Sequence, residues 1–359
     1  MRTALALAER NLGRVWPNPS AGCVIVRDGR VVGRGWTQAG GRPHAEVEAL
    51  TRAGAAARDA TVYVSLEPCC HWGHTPPCTD ALRSAGVARV VYAVEDPDPR
   101  VRGKGAAALR AAGIAVDAGP LADAARDLNE GFFRRLEEGR PMVTLKTATT
   151  LDGRIATHTG ASRWITGPLA RERAHLLRAR HDAVMIGIGT ALADDPALTC
   201  RVPGLEECRP VRIVVDSRLR LPLTSRLVRE AAAAPVWIVT LPDVDPERRR
   251  VFADCGVEIV PVETGEPGVI GIEAALAALA ARGLTRVLVE GGSRLAATLL
   301  RAGMVDRLAW FRAPGVIGGD GVPAAVGFGI DLPGAAPRFR RDGVEELGED
   351  ILETYRRAS

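Results

Sequence analysis

Aromatic side chains make up only 4% of this 359-residue chain, which leaves few platforms on which nucleic-acid bases could stack. The formal net charge is a modest +4, and no run of basic residues is interleaved with aromatics, so the footprint of a nucleic-acid-binding protein is missing. No apolar stretch approaches the roughly 18 residues of a membrane span. The opening MRTALALAERN lacks the apolar core of a signal peptide. The expectation is a soluble, cytoplasmic protein with neither nucleic acid nor membrane as a partner. A disulfide framework is also not expected: of seven cysteines, three gather between residues 69 and 78, which points to metal use in a reducing compartment. Cys23, Cys200, Cys208 and Cys255 are expected to be ordinary thiols. A Gly-x-Gly-x-x-Gly after the first strand of the second half is absent too, which excludes an ordinary Rossmann fingerprint.

What the chain does carry is His44-Ala45-Glu46, followed by Pro68-Cys69 and then Cys78. One imidazole and two thiolates supply three ligands for Zn²⁺ and leave the fourth tetrahedral position open to a water that the metal acidifies. Glu46 is placed to stay off the metal, take the proton of that water and pass it to a departing amine. Eight residues, 70–77, separate the two cysteines, where the short deaminase signature has about two. Cys70, His71 and His74 lie among them, so a structural zinc knuckle built from Cys69, Cys78 and Cys70 or His71 is the alternative. A closed site of that kind has no use for the His-x-Glu and Pro-Cys pairs.

The length allows about two domains. Apolar spacing predicts a helix over residues 5–14, strands at 22–26 and 31–33 around a turn at Asp28-Gly29, and a helix over 44–53. A buried strand at 61–65 delivers Pro68 and Cys69, and a second helix runs from Cys78 to residue 85, so two ligands lie at helix N-termini, where the dipole favours negative charge. Strands at 87–95 and 114–117 complete an α/β layer. Gly119-Pro120, a polar helix and the charged turn Glu137-Glu138-Gly139-Arg140-Pro141 place the joint between domains of residues 1–139 and 140–359.

The second half reads as another α/β unit, with short β-branched runs at 142–149, 183–188, 211–216, 236–240, 257–262, 286–290 and 308–311 and an antiparallel tail at 343–355. Three turns at its strand ends carry chemistry. Glu290-Gly291-Gly292-Ser293 opens a helix whose free N–H groups suit a phosphate, Gly187-Ile188-Gly189-Thr190 leads to Asp194-Asp195-Pro196, and Asp216-Ser217-Arg218 ends another strand. Each alone is an ordinary tight turn or helix cap; three in one domain point to a dinucleotide.

On these residues the chain resembles the bifunctional riboflavin-biosynthesis enzymes, in which a pyrimidine deaminase is fused to a 5-amino-6-(5-phosphoribosylamino)uracil reductase. The motifs are Pro17-Asn18-Pro19 before Gly22-Cys23-Val24, His44-Ala45-Glu46, Glu67-Pro68-Cys69 through Thr75-Pro76-Pro77-Cys78, Lys146 with Leu151-Asp152-Gly153, and Gly187 through Leu198-Thr199. The resemblance covers nearly the whole chain. It implies a zinc-dependent pyrimidine deaminase of cytidine-deaminase-like fold over 1–139, and an NADPH-dependent reductase similar to dihydrofolate reductase over 140–359. The substrates implied are 2,5-diamino-6-(5-phosphoribosylamino)pyrimidin-4(3H)-one for deamination and then the uracil ribotide, whose ribosyl chain is reduced to ribityl.

Carried over by position, the resemblance makes His44, Cys69 and Cys78 the zinc ligands, Glu46 the proton shuttle, and Asn18 and His71 holders of the pyrimidine. Ala148, Trp164, Thr190, Asp194, Ser217 and the segment Gly292, Ser293, Arg294, Leu295, Ala296, Ala297 and Thr298 are expected to line the NADPH site. Ser162, Arg178, Leu198, Arg201 and Glu290 are expected on the substrate side, the two arginines suiting a sugar phosphate, with Lys146 as a functional lysine on the first strand. His74 stands where the family carries Lys or Arg, so the phosphate contact in the first half is expected from a residue whose charge depends on protonation. Ala21 and Thr150 are milder departures from its Val and Ser. A homo-oligomer is implied. Two rivals remain, a nucleoside or nucleic-acid deaminase with an appended domain and a non-enzymatic scaffold stapled by zinc.

Overall fold

Asp28 and Gly29, with φ of 49° and 73°, form the two-residue turn that closes the first hairpin, β1 (Gly22–Arg27) against β2 (Arg30–Trp36). The computed structural model describes residues 1–263 and 268–358, and the chain divides into two units, Met1–Gly139 and Arg140–Ser359. In the first unit β1 also pairs antiparallel with β3 (Thr61–Val64), and β4 (Arg89–Tyr92) and β5 (Ala115–Ala118) continue the sheet in parallel, in the order β2-β1-β3-β4-β5. Six helices accompany it: α1 (Arg2–Ala8), α2 (Ala45–Ala53), α3 (Cys78–Ser84), α4 (Lys104–Ala111), α5 (Ala122–Leu128) and α6 (Glu130–Glu137). Alternate strand residues such as Val62 and Val64 pack with Leu82, Leu109, Phe132 and Phe133 into one core.

The position of α2 is set by two glycines. A Cβ at Gly35 would stand 2.1 Å from the Ala45 carbonyl oxygen, and one at Gly33 would stand 2.3 Å from that of Ala49. Glycine at both lets α2 lie directly on β2, and this close approach determines where the helix begins, with His44 as its N-cap. The first helix differs from the expected span. It stops at Ala8, a 3-10 turn covers Glu9–Asn11, and Leu12 turns extended ahead of Gly13, whose φ is 85°.

The second unit is built on a nine-stranded sheet. Its seven parallel strands are β6 (Met142–Thr149), β8 (Ala183–Gly187), β9 (Val211–Val215), β10 (Val236–Thr240), β11 (Val257–Pro261), β12 (Arg286–Val289) and β13 (Arg307–Arg312). The hairpin β15 (Phe339–Leu347) and β16 (Asp350–Arg357) adds antiparallel to β13, as the alternation of the tail predicts. The order is β11-β10-β9-β8-β12-β6-β13-β16-β15; a small ribbon of β7 (Arg154–Ala156) and β14 (Val322–Pro323), absent from the sequence expectation, stands apart from it. Buried carboxylates pin strand starts. Asp306 accepts from Arg140 at 2.8 Å and from the Val143 amide at 2.8 Å, while Asp182 accepts from the Thr285 and Arg286 amides at 2.6 and 2.8 Å.

His181, 3% exposed, donates from Nδ1 to the Leu177 carbonyl at 2.7 Å and accepts at Nε2 from the Thr144 hydroxyl at 2.9 Å. Burial, with Arg286 and Arg307 nearby, depresses its pKa from 6.5 to about 3. The unfolded chain therefore takes up a proton as pH falls below 6.5 while the folded unit does not, and the stability this neutral imidazole contributes is lost progressively towards pH 3. Each pH unit in that window costs up to about 1.4 kcal/mol. The urea midpoint for unfolding of the second unit should drop between about pH 7 and about pH 5, and His181→Gln should flatten the drop. An unchanged midpoint over that range in the wild-type protein would refute the assignment.

Candidate functional site

The end of β3, the N-cap of α2 and the first residue of α3 converge in the first unit. His44 Nδ1 lies 3.6 Å from Cys69 Sγ and 3.4 Å from Cys78 Sγ, and the three ligand atoms fall within 4.8 Å of one another. Tetrahedral zinc with ordinary Zn–N and Zn–S bonds puts nitrogen and sulfur about 3.5 Å apart, so the donor set fits the metal in spacing as well as in kind. The Cys78 amide donates to Cys69 Sγ at 3.3 Å, one of the free N–H groups of the α3 N-terminus serving the thiolate. A hydrogen bond from Cys78, helped by His44, holds the Cys69 thiol at about 4 against the effect of burial. The knuckle alternative does not fit. Cys70 instead donates to the Arg100 carbonyl and His71 Nδ1 faces the Trp72 carbonyl, and neither belongs to the cluster.

Glu46, 4% exposed on the first turn of α2, has its pKa raised by burial, with His44 opposing. A carboxyl group whose pKa is raised holds a proton more readily than an ordinary carboxylate, which suits it to passing one on. It opens with His44 and Cys69 onto a cavity of about 410 Å³, which Asn18, His71 and His74 also line. The sequence reading missed further wall residues, among them Arg42, Glu67, Asp96, Asp98 and Arg100. Burial raises Asp96 to about 7, with the negative charges of Asp98 and Glu67 adding. Glu67 is a brace, accepting from the amides of Gly103 and Ala106 at 3.0 and 2.9 Å. The available signal was position: Glu95-Asp96-Pro97-Asp98 follows the C-terminal end of parallel β4, where open α/β sheets bind ligands.

In the second unit, the register of β6, β12, β8 and β9 brings their C-terminal ends to one edge of the sheet, which gathers Glu290, the Gly187–Thr190 junction and Ser217 there. Arg178, on α7 (Pro168–Ala179), donates Nε and Nη2 to the two carboxylate oxygens of Glu290 at 2.5 and 2.8 Å. Its Nη1 donates to the Thr199 carbonyl at 2.8 Å, so Arg178 and Glu290 form one structural unit rather than two independent substrate groups. Burial alone would raise Glu290, but Arg178, with Lys146 adding, holds it at about 2. Lys146 is lowered by burial and by Arg178, with Glu290 opposing. His175 went unnoticed in the sequence although it lies one turn before Arg178. Its Nδ1 donates to the Thr199 carbonyl at 3.0 Å, and Arg201 donates to its Nε2 at 3.1 and 3.2 Å.

Gly187 ends β8 and caps α8 (Ile188–Asp194), which carries Thr190 and Asp194. A Cβ at Gly292, whose φ is 64°, would stand 3.1 Å from Thr190 Oγ1, so this turn requires glycine twice over. Within the helix Ser293–Arg301, Leu295, Ala296 and Ala297 are 7%, 3% and 4% exposed, and Ala296 N–H bonds the Gly292 carbonyl. Their side chains join the core, so this part of the segment can face a ligand only through its backbone; Thr298 Oγ1 turns back to the Arg294 carbonyl at 3.0 Å. Gly292, Ser293 and Arg294 remain with first-turn backbone available. Arg163 donates to the Asp194 carbonyl at 3.1 Å, tying the Ser162-to-Trp164 loop to α8, and Trp164 is 68% exposed beneath the Arg171 guanidinium. Ala148 packs beside Phe311, Leu198 is buried with φ 53°, and Ser217 is half-buried at the end of β9.

Comparison with known proteins places both units. Residues 1–94 match the cytidine and deoxycytidylate deaminase zinc-binding region, and residues 141–352 match the RibD C-terminal domain. The chain is 40% identical to the riboflavin biosynthesis protein RibD of Aquifex aeolicus over 358 residues, covering 99% of this chain and 97% of that one. It is also 40% identical to RibD of Escherichia coli over 365 residues, covering 98% and 96%. Among solved structures, Acinetobacter baumannii RibD superposes with a TM-score of 0.90 at 36% identity, covering 100% of this chain and 98% of that chain. The Thermotoga maritima diaminohydroxyphosphoribosylaminopyrimidine deaminase/5-amino-6-(5-phosphoribosylamino)uracil reductase does so at 0.86 and 35%, covering 100% and 97%. With a zinc-type donor cluster in one unit, a reductase domain in the other and relatives of matching length throughout, the chain belongs to the RibD family of bifunctional deaminase/reductases of riboflavin biosynthesis.

Proposed function

We propose that His44 Nδ1, Cys69 and Cys78 hold the zinc ion, and that Glu46 moves the proton in hydrolytic deamination of the diaminopyrimidine ribotide. The observation that carries this is the convergence of three zinc-type ligand atoms, with His44 and Cys69 lining the same cavity as the buried Glu46 carboxyl group. Held by these residues, zinc would supply the acidification of the attacking water. Glu46 accepts a proton from that water and delivers it to the amine at C2, which leaves as ammonia, while Asn18 and His71 orient the ring. Incubating the protein with the ribotide, with and without NADPH, and identifying the products by mass tests both activities; a ribotide recovered unchanged in both arms overturns the reading.

In the second unit, NADPH supplies hydride for C1′ when bound. Thr190, Asp194, Ser217, the Gly292–Arg294 turn, Ala148 and Trp164 form its binding edge. Arg201, steadied by neutral His175, takes the substrate phosphate, with Arg178 and Glu290 holding the arm that carries Thr199, and Ser162 and Leu198 bounding the sugar. Lys146 gives a proton to the ribose ring oxygen as the C1′–O bond opens. All but two of the chain's 47 basic residues are arginine, Lys104 and Lys146 being the exceptions. Arginine does not release its proton in proteins, and a lysine with a lowered pKa does.

Ser217 with Arg218, just past β9, suits the 2′-phosphate that distinguishes NADPH from NADH. Ser217→Asp with Arg218→Ala should cut the NADPH preference by about tenfold or more, measured as the ratio of kcat/KM values. An unchanged ratio moves that phosphate elsewhere. We also propose a homo-oligomer, supported by exposed apolar side chains such as Leu151, Val316 and Leu332 on the second unit. A reducing cytoplasmic setting suits the free thiols of the cluster, and the modest charge agrees with small-molecule partners rather than nucleic acid or membrane.

A further inference from the structure

We propose that Arg42 reads the substrate phosphate in the deaminase pocket, supplying from the approach to α2 the permanent charge that the loop lacks at His74. The proposal rests on the deaminase reading above and adds to it the residue that makes the site specific for a ribotide.

The cavity wall is rich in carboxylates, with Glu46, Glu67, Asp96 and Asp98 all on it, so a phosphorylated substrate needs a compensating cation nearby. Arg100 is already committed: its Nε lies 3.0 and 3.1 Å from the two oxygens of Asp98, and its Nη2 lies 2.5 Å from one of them. Arg42 is differently placed. It lines the same cavity half-buried, and among the described residues no ion pair joins it to a carboxylate. Its Nη1 donates to the hydroxyl of Thr75 at 2.5 Å, which fixes the guanidinium against the loop of residues 70–77 that carries His71 and His74. Gly73 completes the cradle, since a Cβ there would come within 3.2 Å of Arg42 Nη2.

One edge of the guanidinium is thus anchored on the loop, and Nε and Nη2 keep donors to spare. A planar fork with two free donors matches two oxygens of a phosphate, whereas a histidine offers at most one donor on that side. His74 is exposed on the same loop, so the two residues flank one entrance. Anchoring before the ligand arrives also lowers the entropy lost on binding.

The test compares the diaminopyrimidine ribotide with its dephosphorylated riboside, using wild-type protein, Arg42→Ala, Arg42→Lys and Thr75→Val. Loss of a charge-assisted contact predicts that Arg42→Ala lowers kcat/KM for the ribotide by roughly 10- to 150-fold, chiefly through KM, and leaves the riboside unaffected. Arg42→Lys should recover part of the loss, and Thr75→Val, which keeps the charge, should retain the preference for the ribotide. Zinc content and reductase KM serve as folding controls. If Arg42→Ala weakens both substrates by one factor, Arg42 only braces the loop; if the phosphate penalty follows Arg100→Ala, or Arg135→Ala at the other arginine on the cavity wall, the reader lies elsewhere. Either result overturns the proposal. Wild-type protein that deaminates neither compound sinks the deaminase reading itself, a failure distinct from wild-type turnover of both at one rate, which removes phosphate reading alone.

Discussion

Glu46→Ala will bind zinc with wild-type stoichiometry and reduce the uracil ribotide at the wild-type rate, yet lose deamination by roughly 10²–10⁴-fold, the range that a positioned acid–base group contributes. The proposed ligand atoms are His44 Nδ1 and the two sulfurs, none of which belongs to Glu46, so metal content should survive. Glu46→Gln keeps the volume of this buried side chain while removing its ability to cycle a proton, and should fall in the same range. Cys69→Ala should behave differently, losing metal and deamination together. Metal analysis alongside product formation from both half-reactions separates these outcomes. Full deaminase activity in either Glu46 variant would mean that protons reach the amine by another route, with Asp96, raised to about 7 on the same cavity, the group to examine next.

Glu290→Gln will cripple the second unit while sparing the first. The Glu290 carboxylate is buried between Arg178 and Lys146, and removing its charge leaves two cations without their counter-ion. Breaking one partner of a buried pair typically costs about 3–5 kcal/mol, or roughly 10 °C in the melting temperature of a unit of this size. Lys146 should give up its proton first, because arginine does not, and reductase turnover should fall with it. The pH dependence follows from the direction of the shift. Glu290 is depressed from 4.5 to about 2, so its stabilisation is fully present above 4.5 and disappears as pH falls through about 2. The stability gap between wild-type and Glu290→Gln protein should therefore be wide at neutral pH and close across that acid window. A constant gap would show that the loss comes from packing rather than from charge.

Much of the architecture was legible in the chain. Strand runs with period-two alternation, the Asp28-Gly29 turn and the charged joint at 137–141 report local preferences, and local preferences survive into the fold. The zinc cluster was legible for a different reason: only histidine and cysteine offer its donor atoms, and the motifs that hold them begin at a helix cap, follow a strand and start a helix. Where local signals competed, tertiary structure won. The first helix ends at Ala8 because Leu12 and Gly13 leave helical geometry, although the apolar spacing continues to residue 14.

The chemistry of the molecule was thus determined by the sequence alone wherever a residue type has few substitutes: three zinc-type ligands, a carboxylate beside them, a lysine in a chain of arginines. Tertiary structure decided which groups meet. Arg178 and Glu290 lie 112 residues apart and form one ion pair because β12 is inserted between β8 and β6, a pairing that no local pattern encodes. Likewise Arg42 reaches the loop at Thr75 only because α2 packs directly on the glycines of β2 and starts where it does. Burial then assigned the charge states, holding Glu290 low between two cations and raising Asp96 among carboxylates, since the cost of ionising a group depends on the solvent and charges around it and these exist only once the chain has folded.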